Sequence, residues 1–170
     1  MDDLIAGSGV AYRALANPSF FENLLEEVDS IREKGLWADT LDARRKVPLV
    51  TVAGIAAVAT DLLLDRSWTG TTDVPAPGPQ DLSPDGLARI MTEQLDRSVR
   101  YARQPLDELH TALVGFGLNE ELVRGVVEMK RAKDEVLDSG VARTARTART
   151  ASPTTFEQWC TQILRPALLS

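Results

Sequence analysis

Short apolar runs alternate with amphipathic helical stripes through the first half of the chain, and the rest reads mostly as helix. This order constrains the fold most, because strands separated by helices pair in parallel through crossover connections. Gly7-Ser8-Gly9 reads as a turn into a strand over Val10–Leu15, which Asn17-Pro18-Ser19 breaks. Phe20, Phe21, Leu24, Leu25, Val28 and Ile31 then recur at helical spacing as far as Gly35, with Glu22, Glu26, Glu27, Asp29 and Glu33 on the opposite face. Lys46–Val52 predicts a second strand, and Ile55, Val58, Ala59, Leu62 and Leu63 a second helix. Asp73–Pro77 predicts an extended segment at an edge or strand end, since its prolines cannot donate to a ladder.

Ser83-Pro84 predicts a helix start, the serine oxygen capping free amides and the proline suiting the first turn, with Leu87, Ile90, Met91 and Leu95 inward. A short strand is expected near Val99–Ala102. From Pro105 a helix should bury Leu106, Leu109 and Leu113 and end at Gly115-Phe116-Gly117. Asn119 should cap another, with Glu120 and Glu121 in its first turn and Leu122, Val123, Val126 and Val127 buried. The last helix should start on the capping pattern Thr154-x-x-Glu157, carry Phe156, Trp159, Cys160, Ile163 and Leu164 on one side, and stop at Pro166. Between these helices lies the one low-complexity stretch, an Ala-Arg-Thr repeat over 142–150, read as a solvated linker because no aromatic residues interleave its arginines.

At 170 residues there is room for one core and hardly for two. A net charge of −6 disfavours a general nucleic-acid partner. No apolar run approaches the roughly 18 residues of a membrane span, and the acidic start Met1-Asp2-Asp3 lacks the basic region of a secretory signal, so a cytoplasmic protein is expected. Cys160 and His110 are single residues of their types, which excludes an internal disulfide and a multi-cysteine metal cluster.

A dinucleotide site needs glycines after a strand and before a helix. Gly7-x-Gly9 precedes a strand and Gly115-x-Gly117 separates two helices, so both read as turns. A tyrosine four residues before a lysine, the catalytic pair of short-chain dehydrogenases, is absent: Ala16 follows Tyr12 at that spacing, and Pro105 follows Tyr101. Cys160 shares an apolar stripe with Trp159 and Ile163 and reads as a packed thiol rather than a nucleophile paired with His110. On residues alone, the chain is an α/β domain without a visible active site.

Four phrases go further. Gly9 to Leu25, with its Asn17-Pro18-Ser19-Phe20 turn, resembles the strand, Pro-x-Phe turn and helix of the NmrA-like family, the atypical short-chain dehydrogenase/reductase-like proteins. Pro48–Ala59 is similar to that family's next strand and Ile-Ala-x-Val helix, and Gly78–Pro84 and Leu95–Tyr101 to the two landmarks after it. Phe156–Cys160 shares the family's flavour. The resemblance runs in order along nearly the whole chain but covers only the family's C-terminal half. It implies an α/β fold, the C-terminal part of a Rossmann-like fold with a few strands and a helix-rich substrate end.

The resemblance also implies NAD(P) as cofactor in the intact family, with Asn17, Pro18, Ser19 and Phe20 near the nicotinamide and the C-terminal helices walling a small-molecule substrate pocket. Pro18 as a mere strand end, with Phe20 and Phe21 as core, is the bland alternative. The expected activity is NAD(P)H-dependent reduction of a quinone or azo compound, with the chain alone binding the cofactor poorly. A non-catalytic NAD(P) redox sensor that contacts a transcription regulator is the alternative function. A third reading is an independent short protein that pairs with itself through the open strand edge at Val10–Leu15. The expected division is 1–141 for the NmrA-like portion, 142–151 for the linker and 152–170 for the C-terminal helix. Two departures stand out. Gly54 replaces the acidic residue many members carry before the Ile-Ala helix, so a cap should be lost, and Asn17 replaces an arginine.

Overall fold

Parallel strand pairs organise the chain, as the alternation of strands and helices requires. In the computed structural model, described over residues 2–135 and 149–170, a short helix α1 (Asp2–Ala6) precedes β1 (Tyr12–Ala16), which pairs in parallel with β5 (Thr71–Pro75). β2 (Ser19–Phe20) runs parallel to β4 (Val47–Val50), which pairs antiparallel with β6 (Asp81–Leu82). β3 (Leu36–Asp39) lies parallel to β7 (Arg100–Arg103). The helices are α2 (Val28–Lys34), α3 (Val52–Leu64), α4 (Pro84–Leu95), α5 (Leu106–Gly115) and α6 (Glu120–Glu135), followed by a closing helical segment from Phe156 to Leu169. The expected α/β architecture is therefore present.

One core joins the 3-10 segment Phe21–Glu27, α2, β3, β4, α4 and the closing segment. Phe21, Ile31, Trp37, Ile90, Met91, Phe156, Trp159 and Leu164 are buried in it. β1, β5 and α3 contribute nothing to this cluster. Every residue of β1 is only half-buried, and α3 leaves Leu63 79% and Leu64 76% exposed.

Several local expectations are corrected. The helix expected from Phe20 begins instead as β2 and a 3-10 turn, and only Val28–Lys34 is α-helical. It ends on Gly35, whose φ of +60° is left-handed and whose added Cβ would sit 2.4 Å from Ser98 O. β3 follows at once and has no counterpart in the sequence reading. Leu106, Leu109 and Leu113 are not fully buried, because α5 packs chiefly along α6 among the described residues, and Leu122 is 49% exposed. The closing segment is capped by Thr155 and Gln158, one residue later than Thr154 and Glu157: Thr155 Oγ1 accepts from Gln158 N at 3.3 Å, and Gln158 Oε1 accepts from Thr155 N at 2.9 Å. Thr154 N instead donates to Ser152 Oγ. Pro166 does not stop the segment. Cys160–Leu164 widens into a π turn, Arg165 N bonding to Cys160 O, so that Pro166 falls in the first turn of a final helical piece where no amide is needed. Ile163, expected inward, is 44% exposed. Most of the Ala-Arg-Thr repeat lies outside the described residues.

The cap expected to be lost with Gly54 is supplied otherwise. Thr51 Oγ1 accepts from Gly54 N at 2.9 Å, and Glu22 Oε2 accepts from Val52 N at 3.0 Å. Gly54 itself makes room: a Cβ there would meet Ser152 Cβ and Oγ at 2.5 Å, where Ser152 N is fixed to Pro77 O at 2.9 Å. Gly54→Ala is therefore expected to cost about 1–3 kcal/mol through overpacking, despite alanine's better helix propensity. Adding Ser152→Gly should restore most of the urea midpoint. A single variant as stable as the parent would contradict the contact.

Candidate functional site

The break after β1 delivers the chain to a cavity. Buried Pro18 carries it from the carboxyl end of β1 into β2, where Ser19 and Phe20 pair with Leu49 and Val50. Carboxyl ends of parallel strands are where open α/β sheets bind ligands. There a cavity of about 290 Å³ is walled by Phe20, Phe21, Leu24, Trp37, Leu49 and Leu87, with Ser19, Glu27, Asp39, Lys130 and Lys133 adding polar groups. Apolar walls with a few convergent polar groups are the usual build of a small-molecule site. A second cavity of about 450 Å³ lies between β7 and α6, but Arg103 there is already engaged with Asp42 and Asp134.

Of the four residues placed near the cofactor by resemblance, Ser19 and Phe20 line the cavity, whereas Pro18 is buried beside it and Asn17 is exposed. The polar groups come from elements the sequence did not connect. Lys130 and Lys133 lie one turn apart on α6. Lys130 Nζ donates to Asp39 Oδ1 at 2.7 Å, and Lys133 Nζ donates to Ser19 Oγ at 2.9 Å. Trp37 and Asp39 sit on β3, whose Leu-Trp-Ala-Asp run directly after a left-handed glycine was the available signal.

Glu27 is half-buried in the cavity wall, and burial raises its carboxyl above the usual range. Asp39 and Glu26 push the same way, while a backbone hydrogen bond from Ala38 and the charge of Lys130 oppose it. Because the folded state holds this proton more tightly than the unfolded chain, its contribution is fully present below the unfolded value and lost as pH rises through the folded one. Glu27→Gln should thus melt higher than the parent at pH 7, with the difference closing towards pH 4. A difference that grows on acidification would reverse the assigned sign.

Other titratable groups are structural. The Tyr101 hydroxyl lies 2.6 Å from both Asp39 O and Leu41 O, and burial raises its pKa, so it is no free acid. Cys160 is fully buried and its thiol is pushed up to about 12, chiefly by burial. His110 Nε2 instead meets Glu120 Oε1 at 3.1 Å, across the α5–α6 hairpin. No group of three or more metal-ligating side chains occurs among the described residues, and none of their helices is long and apolar enough to cross a membrane.

Fold and cavity together define a Rossmann-like α/β chain that carries an apolar-walled cavity with a few polar groups. The chain is similar to NmrA-like, atypical short-chain dehydrogenase/reductase-like proteins, as the order of its motifs implied. It is 32% identical over 148 residues to an NAD(P)H azoreductase of Xenophilus azovorans, a match covering 84% of this chain and 51% of that protein. Its fold resembles the triphenylmethane reductase of Citrobacter sp. (TM-score 0.73, 18% identity, 98% of this chain and 56% of that one). It also resembles an NADPH-dependent quinone oxidoreductase of Escherichia coli (TM-score 0.73, 21% identity, 92% and 56%). The chain thus spans about half the length of the relatives it matches, which fits the C-terminal-half reading. It matches no family profile.

Ser19 and Phe20 line the cavity, yet no glycine turn among the described residues follows a strand and opens a helix, where a diphosphate would rest. Gly9 (φ +81°) precedes β1 and Gly117 (φ +83°) joins two helices. The diphosphate of a dinucleotide does not fit these elements.

Proposed function

We propose that this chain supplies the acceptor-binding part of an NAD(P)H-dependent oxidoreductase acting on quinone or azo compounds, and that alone it binds NAD(P)H poorly. One observation carries the proposal: the cavity lined by β2, β3 and β4 is walled by this chain's own residues, whereas the diphosphate turn is not among the described ones. The azoreductase relative and the dye- and quinone-reducing fold neighbours support the acceptor class. In this reading 1–141 builds the pocket portion, 142–151 links it and 152–170 closes it, in a cytoplasmic protein without a nucleic-acid partner.

β1 pairs only with β5 among the described residues, and parallel strands are normally covered on both faces. Its open edge suits the cofactor-binding strands of a complete sheet, or failing those a second copy of this chain. The locked Tyr101 hydroxyl gives the sensor reading its support, since no free phenol borders the cavity. Paired titrations with a naphthoquinone and with NADPH test the main proposal: the quinone should quench tryptophan emission through Trp37 and the nucleotide should give no saturable signal. The reverse pattern would overturn it.

A further inference from the structure

In the cavity wall, the Lys133 ammonium donates to Ser19 Oγ at 2.9 Å. With that oxygen accepting, the serine's own O–H is left without an acceptor among the described residues. Lys133 is half-buried, and no carboxylate there reaches ion-pair distance of its Nζ. Both side chains line the cavity. We infer that Ser19 and Lys133 form an oxyanion-binding pair that recognises an aromatic ligand through a phenolate-type oxygen, the charge state towards which a reduced quinone tends.

The inference rests on the acceptor-cavity reading and gives it a chemical class. A hydroxyl backed by an ammonium offers a charge-assisted hydrogen bond, worth most beside apolar walls such as Phe20, Phe21 and Leu24. The other charged groups lining the cavity are Glu26, Glu27, Asp39 and Lys130. Asp39 and Lys130 cancel at 2.7 Å, and burial moves Glu27 towards its neutral form. Among the described residues, Lys133 is thus the cation in the cavity wall that no carboxylate pairs with.

The test uses the full chain and two arene probes, 4-nitrophenol and uncharged nitrobenzene. The bound phenol, followed by its visible absorbance, should ionise about one pH unit lower than in solution, as expected for a neighbouring opposite charge. Lys133→Met should abolish that shift and Ser19→Ala reduce it, while in both variants the affinity for nitrobenzene should change less than that for the ionised phenol. Binding of the phenol with its solution pKa, or an unchanged shift in Lys133→Met, would overturn the pair alone. Failure of both probes to bind the parent would overturn the cavity reading and the pair with it.

Discussion

Phe156→Ala is expected to cost about 3–5 kcal/mol, as truncation of a fully buried aromatic does, and to lower Tm by roughly 10 °C. Phe156 is fully buried, with its ring centroid 5.1 Å from Phe21 and 5.7 Å from Trp159, while Phe21 and Trp159 lie 5.8 Å apart. These rings lock the closing segment onto the chain that leaves the Asn17–Phe20 turn. Arg32 fastens its far end by donating to Leu168 O at 3.1 Å and Ala167 O at 3.0 Å. The loss should therefore be global, seen as one cooperative shift in a urea melt followed by far-ultraviolet circular dichroism. Ile163→Ala, on the same segment but 44% exposed, is the control and should change stability by less than about 1 kcal/mol. Equal losses in the two variants would show that the aromatic cluster does not hold the segment.

Much of this fold was legible where local chemistry decides it. Ser83-Pro84 opens α4 as read, with Ser83 Oγ accepting from Gly86 N at 3.1 Å, and Asn119 Oδ1 accepts from Leu122 N at 2.8 Å. Capping is written within four residues of sequence and needs no distant partner. β3 escaped because a four-residue strand becomes one only by pairing with β7, some 60 residues later. The apolar run of α3 promises a buried stripe, yet Ile55, Val58, Ala59 and Leu62 are only half-buried and Leu63 is exposed among the described residues, as expected if its cover is not among them.

The site was legible only as a place. The Asn17–Phe20 turn led to the cavity wall, but the charge there depends on Lys133, 114 residues beyond Ser19. Nothing in the spacing of Met129, Lys130 and Lys133 separates a cavity face from an ordinary solvated helix. Gly54 shows the converse: it looked like a missing cap, and its role is the space it leaves for Ser152.

The second large expectation concerns the dinucleotide. Tight binding draws on backbone amides of a glycine turn and on a helix N-terminus facing the diphosphate, and among the described residues no glycine turn links a strand to a helix. What the chain does provide is a cavity of about 290 Å³ lined by Ser19 and Phe20, room for a compact arene. The chain should consequently separate two ligands that an intact reductase binds together.

Calorimetric titration of the purified chain with NADPH, with the naphthoquinone run in parallel, tests this most directly. The expected result is no saturable heat up to about 1 mM NADPH, corresponding to binding no better than about −4 kcal/mol, alongside a saturable quinone isotherm. One-site NADPH binding in the micromolar range, about −8 kcal/mol, would contradict the claim that this chain carries the acceptor pocket without the cofactor site.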